Sequence, residues 1–211
     1  MEGKSQQASD TVQRILTAAR DAFSDSGFSG TTVEEIARRA GVNKATLYYH
    51  IGDKETLYAE VIRQVIEQNV EGTARDLQKA RTPEEKLKRY LCNMAAAVDA
   101  NPWMPRIMMR ELAAGGSHFP DVAVRAFARI FVLIGEILAE GVRKGVFVET
   151  TPFLLHMMVM GAYVFYKTSA PLRARNIGLP ESSAGGSEKV TGPIAAEVER
   201  FVLRAVLKNR L

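Results

Sequence analysis

Apolar residues recur at helical spacing along most of the chain. Residues 11–26 carry them on one face, at Val12, Ile15, Leu16, Ala19, Ala22 and Phe23. Asp10 precedes this run as an N-cap and Gly27 follows it as a stop, so a first helix is predicted from Thr11 to Ser26. No stretch alternates apolar and polar residues as a strand does, and there is no internal repeat. The pattern therefore predicts an all-α protein.

Start and stop signals divide the rest of the chain into further helices. Asp53 caps a long helix that ends near Lys79, and the sequence Thr82-Pro83-Glu84-Glu85 begins the next one. The Gly-, Ser- and Pro-rich segment of residues 171–193 is interpreted as a loop. The remaining helices are predicted at about residues 83–100, 103–114, 121–144, 152–169 and 194–209.

Residues 31–50 predict two short helices joined by a tight turn. Thr32 and Glu35 form a T-x-x-E capping box at the start of the first helix. Gly41 ends this helix, because glycine adopts the left-handed conformation cheaply, and Asn43 caps the second helix. Two helices joined in this way form a helix-turn-helix unit, whose second helix enters a DNA major groove.

Several residues of this unit have side chains suited to DNA. Thr46 can reach a base edge or a phosphate, and Ala45 can contact a thymine methyl group. Lys44 and Lys54 lie at helix starts, where backbone N–H groups and the helix dipole also attract phosphate. The alternative is that the three consecutive rings at residues 48–50 only cover the first helix. The predicted DNA-binding residues are Thr32, Val33, Asn43, Lys44, Ala45, Thr46, Tyr48, Tyr49, His50 and Lys54.

The same stretch resembles the tetracycline-repressor (TetR) family of bacterial transcription regulators. The matching positions are Thr31-Thr32-Val33, Ile36-Ala37-Arg38-Arg39-Ala40-Gly41-Val42 and Thr46-Leu47-Tyr48-Tyr49-His50-Ile51-Gly52-Asp53-Lys54-Glu55-Thr56-Leu57. Ile51 replaces the usual aromatic residue. The resemblance covers roughly residues 10–58 and implies a DNA-binding domain at residues 1–52, with a disordered tail at 1–9. It also implies an effector-binding and dimerisation domain at residues 53–211.

Methionine and aromatic residues are concentrated between Met94 and Tyr166. Core packing explains most of them, yet flexible Met and flat aromatic side chains also suit an adaptable cavity. The resemblance implies a small-molecule pocket here, and the lining favours a small apolar or aromatic effector. His156 is interpreted as a core histidine or a polar group of the pocket. The predicted lining residues are Met94, Trp103, Ile107, Met108, Glu111, Phe127, Phe131, Met157, Met160, Tyr163 and Tyr166.

The last two long helices carry more apolar residues than one bundle can bury. The helix of residues 152–169 is apolar on almost every face, which is typical of a helix buried in part against another chain. A homodimer is therefore predicted, with an interface at Leu154, Leu155, Met158, Val198, Phe201, Val202 and Ala205.

Charge complicates the DNA-binding interpretation. The chain carries a net charge of +4, yet residues 1–60 hold seven Lys and Arg against nine Asp and Glu, a net charge of −2. The remaining residues carry +6. Bulk charge therefore argues mildly against DNA binding, but only the charges that face phosphates matter, and the motif takes precedence. The small number of cations predicts a modest salt dependence.

Other classes of function have weak sequence support. The chain lacks GxSxG, HExxH, GxGxxG and Walker A sequences, and no catalytic residue, cofactor or metal ligand is predicted. Cys92 is the only cysteine and is interpreted as a small buried residue. No apolar stretch is long enough for a membrane span and residues 1–9 lack a signal core, so a cytoplasmic protein without a membrane partner is expected.

The sequence thus predicts a ligand-responsive transcriptional regulator. The favoured form is a repressor that binds a palindromic operator as a dimer and leaves it when a small effector binds. An activator, an effector-independent DNA-binding protein, and a small-molecule carrier or enzyme without DNA binding remain as alternatives.

Overall fold

The computed structural model describes residues 2–175 and 189–208, and their side chains from Gln6 onwards. Within these residues it contains ten helices and one isolated β-bridge, so the all-α prediction is confirmed. The helices are α1 (Glu2–Gly30), α2 (Val33–Ala40), α3 (Lys44–His50), α4 (Lys54–Leu77), α5 (Pro83–Ala100), α6 (Met104–Ala113), α7 (Asp121–Arg143), α8 (Pro152–Thr168), α9 (Ala170–Arg173) and α10 (Pro193–Val206).

Helix α1 begins earlier than the sequence predicts. It starts at Glu2 rather than at Thr11, so residues 2–9, predicted as a disordered tail, are helical. Asp10 lies inside the helix instead of capping it, and accepts a hydrogen bond from the Gln6 side chain at 3.4 Å. Residues 2–9 contain Glu, Lys, Gln and Ala, which are good helix formers. Gly27 breaks the regular helix as predicted, with φ of 72°.

The chain divides into two compact units. The first unit comprises Met1–Ile66 and Arg106–Arg125, and the second unit comprises Glu67–Pro105 and Ala126–Leu211. These boundaries differ from the predicted functional boundary between residues 52 and 53, because the first unit includes the start of α4 and residues 106–125. The core of the first unit includes Ile15, Phe23, Ile36, Leu47, Leu57 and Ile62, which are all fully buried.

Helices α5, α8 and α10 pack together in the second unit. Thr82 caps α5 as predicted, since its hydroxyl accepts a hydrogen bond from the Glu85 N–H at 3.2 Å. The apolar face of α5 is buried, as its spacing predicts: Leu87, Leu91, Met94, Ala95 and Val98. Cys92 is exposed, so its interpretation as a buried residue was wrong. It lies on the opposite side of the helix from the buried stripe.

The ends of α7 and α10 are joined by the β-bridge between Phe147 and Leu207. The Val148 N–H donates to the Val206 carbonyl at 2.8 Å, and the Lys208 N–H donates to the Val146 carbonyl at 2.8 Å. Most of the loop predicted at residues 171–193 lies outside the described residues, and so does the predicted helix end at Asn209. In the described part of the chain, no helix is long and apolar enough to cross a membrane.

Candidate nucleic-acid interface

Helices α2 and α3 form the predicted helix-turn-helix, and local signals fix each end. Thr32 accepts a hydrogen bond from the Glu35 N–H at 3.2 Å, and Asn43 accepts one from the Thr46 N–H at 2.7 Å. Gly41 adopts the left-handed conformation, with φ of 65° and ψ of 37°. Leu47 anchors α3 to the core of the first unit and is fully buried. The caps and the glycine turn therefore hold α3 in a defined orientation.

The outward face of α3 is polar and aromatic. Tyr49 is 86% exposed and Tyr48 is 45% exposed, so the two phenol rings do not serve mainly to cover α1. Tyr49 lies edge-on to His50, with 5.1 Å between ring centroids. Lys44 and Ala45 are also exposed, as are the capping residues Thr32 and Asn43, while Thr46 and His50 are partly exposed. A tyrosine ring this open to solvent on a rigid helix is suited to contact a partner.

Two predicted DNA-binding residues have other roles in the first unit. Val33 is buried, so its side chain belongs to the core. The Lys54 ammonium donates to the Thr31 carbonyl at 2.9 Å and lies 4.2 Å from the centre of the Phe28 ring. The Lys54 ammonium group is therefore engaged by groups of the first unit. We leave Val33 and Lys54 out of the candidate surface.

The remaining cations near α3 are held in ion pairs. Lys44 pairs with Glu34 of α2. Arg39 bridges Glu35 at 2.7 Å and Asp25 at 3.0 Å, and Arg38 donates to Glu35 at 2.8 Å. These arginines lower the pKa of Glu35 to about 2, mainly through hydrogen bonds. Glu34 was not among the residues predicted from the sequence, because only the folded helix-turn-helix brings it to Lys44.

A buried polar network lies behind the helix-turn-helix in the first unit. The Tyr58 hydroxyl donates to the Glu111 carboxylate at 2.8 Å, and both side chains are almost fully buried. The backbone N–H of His118 donates to the other carboxylate oxygen at 3.3 Å, and the His118 ring stacks on the Phe28 ring with 4.7 Å between their centroids. Glu111 was predicted to line the effector pocket. The structure instead places its carboxylate against α4 within the first unit.

The other predicted pocket residues lie in different surroundings. Ile107 and Met108 belong to the first unit, and the rest belong to the second unit. Met94 and Tyr163 are buried, and Met157 is 44% exposed. The side chains that are partly exposed are Trp103, Met108, Phe127, Phe131, Met160 and Tyr166.

One cluster in the second unit combines aromatic rings with buried polar groups. The Phe131 ring lies 5.6 Å from Phe153 and 5.1 Å from the His156 ring. Nδ1 of His156 forms a hydrogen bond with the Tyr90 hydroxyl. Burial lowers the pKa of His156 to about 4, so the imidazole is neutral at pH 7. Tyr90 and Phe153 escaped the sequence analysis, because only tertiary packing brings them to His156.

The predicted interface residues divide into outward and inward sets. Leu154 is 56% exposed, Met158 61% and Phe201 65%, and Ala205 is also exposed. Leu155 and Val202 are buried within the protomer, and Val198 is partly buried. Phe165 continues the outward row of α8 and is 67% exposed, although the sequence analysis did not select it.

Comparison with known proteins agrees with this arrangement. Residues 15–61 match the family described as bacterial regulatory proteins, tetR family, and residues 83–183 match the tetracyclin repressor-like C-terminal domain. The chain is 30% identical over 201 residues to the HTH-type transcriptional regulator UidR of Escherichia coli K12, covering 92% of this chain and 97% of UidR. It is 28% identical over 168 residues to the regulator RutR of the same strain, covering 80% and 79%.

A solved structure of similar fold is the transcriptional regulator FadR from Bacillus subtilis in complex with stearoyl-CoA. It superposes with a TM-score of 0.72 at 18% sequence identity, covering 92% of this chain and 98% of that one. At this identity the likeness concerns the fold alone.

A capped helix-turn-helix with an exposed second helix, in an all-helical chain, defines a helical DNA-binding protein. The chain belongs to the tetR family of bacterial regulatory proteins. It is a DNA-binding transcriptional regulator, as its relatives are named.

Proposed function

We propose that the protein is a homodimeric repressor that binds a palindromic operator and releases it when a small apolar or aromatic effector binds. The assignment of the DNA-binding surface rests on the exposed side chains of α3, above all on Tyr49. We assign phosphate contacts to Lys44, Tyr49 and His50, and a base contact or a neighbouring one to Thr46. The protein is expected to act in the cytoplasm and to need no catalytic residue.

The DNA contacts are tested by fluorescence anisotropy on duplex DNA. Lys44→Ala should weaken binding to all sequences about equally and lower the salt slope by about one for each recognition helix engaged, because a phosphate contact carries no sequence information. Lys79→Ala is a matched control, since Lys79 forms an exposed ion pair with Asp76 at the end of α4. If Lys44→Ala, Tyr49→Ala and His50→Ala combined left the affinity unchanged, α3 would not be the recognition helix.

The dimer proposal rests on the outward apolar row of α8. Leu154, Met158 and Phe165 share one face of the helix, and Gly161 falls between them. The position of Gly161 is open, since no atom apart from the nearby backbone of its own helix lies within 4 Å of where a Cβ would stand. Phe201 of α10 is exposed in the same second unit. An interface of roughly 2,000 Å² or more would bury this excess of apolar surface.

Light scattering tests the dimer. The wild type should be dimeric at micromolar concentration, and Met158→Glu combined with Phe201→Glu should give folded monomers. Val132→Glu is a matched control, because Val132 is 59% exposed on α7 and lies outside the proposed face. A wild-type monomer with intact fold would contradict both the dimer and the palindromic operator, because matched half-sites require a two-fold symmetric protein.

The effector proposal rests on the cluster around Phe131 in the second unit. Its rings supply apolar surface, and the neutral His156 and Tyr90 supply hydrogen-bonding groups without a fixed charge. Such a lining selects apolar or aromatic molecules over sugars and phosphates. FadR, which has this fold, was solved in complex with stearoyl-CoA, a ligand with a long apolar chain.

Effector binding is tested by thermal shift with small aromatics, fatty acids and amphipathic drugs. Ligands that stabilise the protein should reduce DNA affinity by roughly 5- to 150-fold, which corresponds to a coupling of about 1–3 kcal/mol. Phe131→Ala should weaken both effects together. If every stabilising ligand left DNA binding unchanged, effector release would have to be abandoned while the DNA-binding function stood.

A further inference from the structure

The ammonium of Lys44 is already paired before any DNA is bound. It forms an ion pair with the carboxylate of Glu34, from the first turn of α2. Both side chains stay open to solvent, at 51% and 63% exposure. The hydrogen bond from Lys44 lowers the pKa of Glu34, and that same bond raises the pKa of Lys44. An incoming phosphate therefore meets an ammonium group whose charge is already balanced by a carboxylate.

Other basic side chains of the helix-turn-helix region also have partners within the first unit. Arg38 and Arg39 are bound to Glu35, and Arg20 is bound to Asp21 at 2.9 Å. Arg14 and Lys54 donate to backbone carbonyl groups. Every lysine and arginine side chain described between residues 6 and 60 is thus engaged by an acidic group or a carbonyl. This arrangement agrees with the net charge of −2 over residues 1–60.

We propose that Glu34 competes with the DNA phosphate for the Lys44 ammonium and so sets the general DNA affinity of this protein. The proposal rests on the phosphate contact assigned to Lys44. The Lys44 ammonium has three N–H donors but a single positive charge, so it cannot fully neutralise both a carboxylate and a phosphate. Once Lys44 moves to the phosphate, the Glu34 carboxylate remains beside an anionic backbone, which adds like-charge repulsion.

The expected size of the effect follows from the exposure of the pair. Water and salt screen an exposed ion pair, so the competition changes the affinity only slightly, by roughly 1.4- to 5-fold. Glu34→Gln should therefore tighten DNA binding by roughly 1.4- to 5-fold for each recognition helix engaged. The salt slope should become steeper by up to about 0.9 per helix, because the Lys44 charge then neutralises a phosphate without an internal competitor.

The experiment is a double-mutant cycle on DNA binding. Wild type, Glu34→Gln, Lys44→Ala and the double variant are titrated by fluorescence anisotropy with a random-sequence duplex and with DNA upstream of the protein's own gene. Salt is varied between about 50 and 200 mM. Glu55→Gln is the control for net charge, because Glu55 is an exposed carboxylate in the first turn of α4. Circular dichroism confirms that each variant is folded.

The cycle separates the possible results. A gain from Glu34→Gln that vanishes in the Lys44→Ala background, on both duplexes, supports competition for Lys44. A gain that persists without Lys44, or that Glu55→Gln matches, overturns it in favour of general repulsion. A change confined to the upstream DNA and absent from the random-sequence duplex overturns it in favour of a base contact by Glu34. If Lys44→Ala leaves the DNA affinity unchanged, the phosphate contact assigned to Lys44 is wrong. If Lys44→Ala weakens DNA binding but Glu34→Gln has no effect, only the proposed competition is refuted.

Discussion

The hydrogen bond between Tyr58 and Glu111 offers a direct measure of what a buried polar contact contributes to the first unit. Tyr58 is 1% exposed and Glu111 is 5% exposed, and their oxygen atoms lie 2.8 Å apart. Tyr58→Phe removes the donor and keeps the ring, which packs 4.8 Å from Phe23 and 5.1 Å from Phe28. The substitution therefore changes one polar atom in a well-packed site.

The loss should be about 2 kcal/mol in the free energy of unfolding. A hydrogen bond to a charged group contributes about 1.5–3 kcal/mol, and removing one partner leaves the other to bear its desolvation cost. The Glu111 carboxylate still accepts a hydrogen bond from the backbone N–H of His118 at 3.3 Å, so it is not left wholly unsatisfied. No large cavity forms, since phenylalanine has nearly the volume of tyrosine. For a chain of this length the midpoint of thermal unfolding should fall by roughly 4–8 °C.

Urea unfolding followed by circular dichroism measures this loss. Tyr49→Phe is the matched control, because it removes the same atom from a ring that is 86% exposed, and should change stability by less than about 0.5 kcal/mol. Glu111→Gln should also lose stability, because its single amide oxygen can accept only one of the two hydrogen bonds that Tyr58 and the His118 backbone N–H donate to Glu111. If Tyr58→Phe and Tyr49→Phe were equally stable, the buried bond would contribute nothing.

Sequence signals located the elements of this fold where the physical cause is local. Thr32, Asn43 and Thr82 each cap a helix through a residue three positions ahead, and Gly41 has the left-handed backbone that its position demands. Such bonds are encoded within one turn of chain. The start of α1 was missed because Asp10 resembles a cap, although a carboxylate is also tolerated inside a helix.

The contacts that build the candidate sites depend on tertiary packing instead. Tyr58 meets Glu111 from 53 positions away, and Tyr90 meets His156 from 66 positions away. Helical periodicity states which face of each helix is buried, but not which helix that face meets. Glu111 was therefore assigned to a pocket from its place among Met and aromatic residues, while its carboxylate lies against α4. The outward row of α8 was recognised only in part, since a helix apolar on all faces does not reveal its exposed side.

Two further predictions concern the second unit. Gly141→Ala should destabilise the protein by about 1–3 kcal/mol, because a Cβ there would stand 1.9 Å from the Phe147 ring. Gly72→Ala should instead stabilise α4 by up to about 1 kcal/mol, because its Cβ would meet no atom within 4 Å apart from the nearby backbone of its own helix. Urea unfolding measures both changes in the free energy of unfolding. His156 should make stability depend on pH. In the unfolded chain its pKa is near 6.5, and in the fold burial lowers it to about 4. Between these values the unfolded chain binds more protons, so stability should fall as the pH is lowered through this window, by up to about 3 kcal/mol. His156→Gln keeps a hydrogen-bonding partner for the Tyr90 hydroxyl but cannot take up the proton. The unfolding free energy of the wild type relative to this variant should therefore fall as the pH falls from 6.5 to 4, because titrations common to both proteins cancel. A difference that stayed constant over this range would mean that His156 is protonated as readily in the fold as in the unfolded chain.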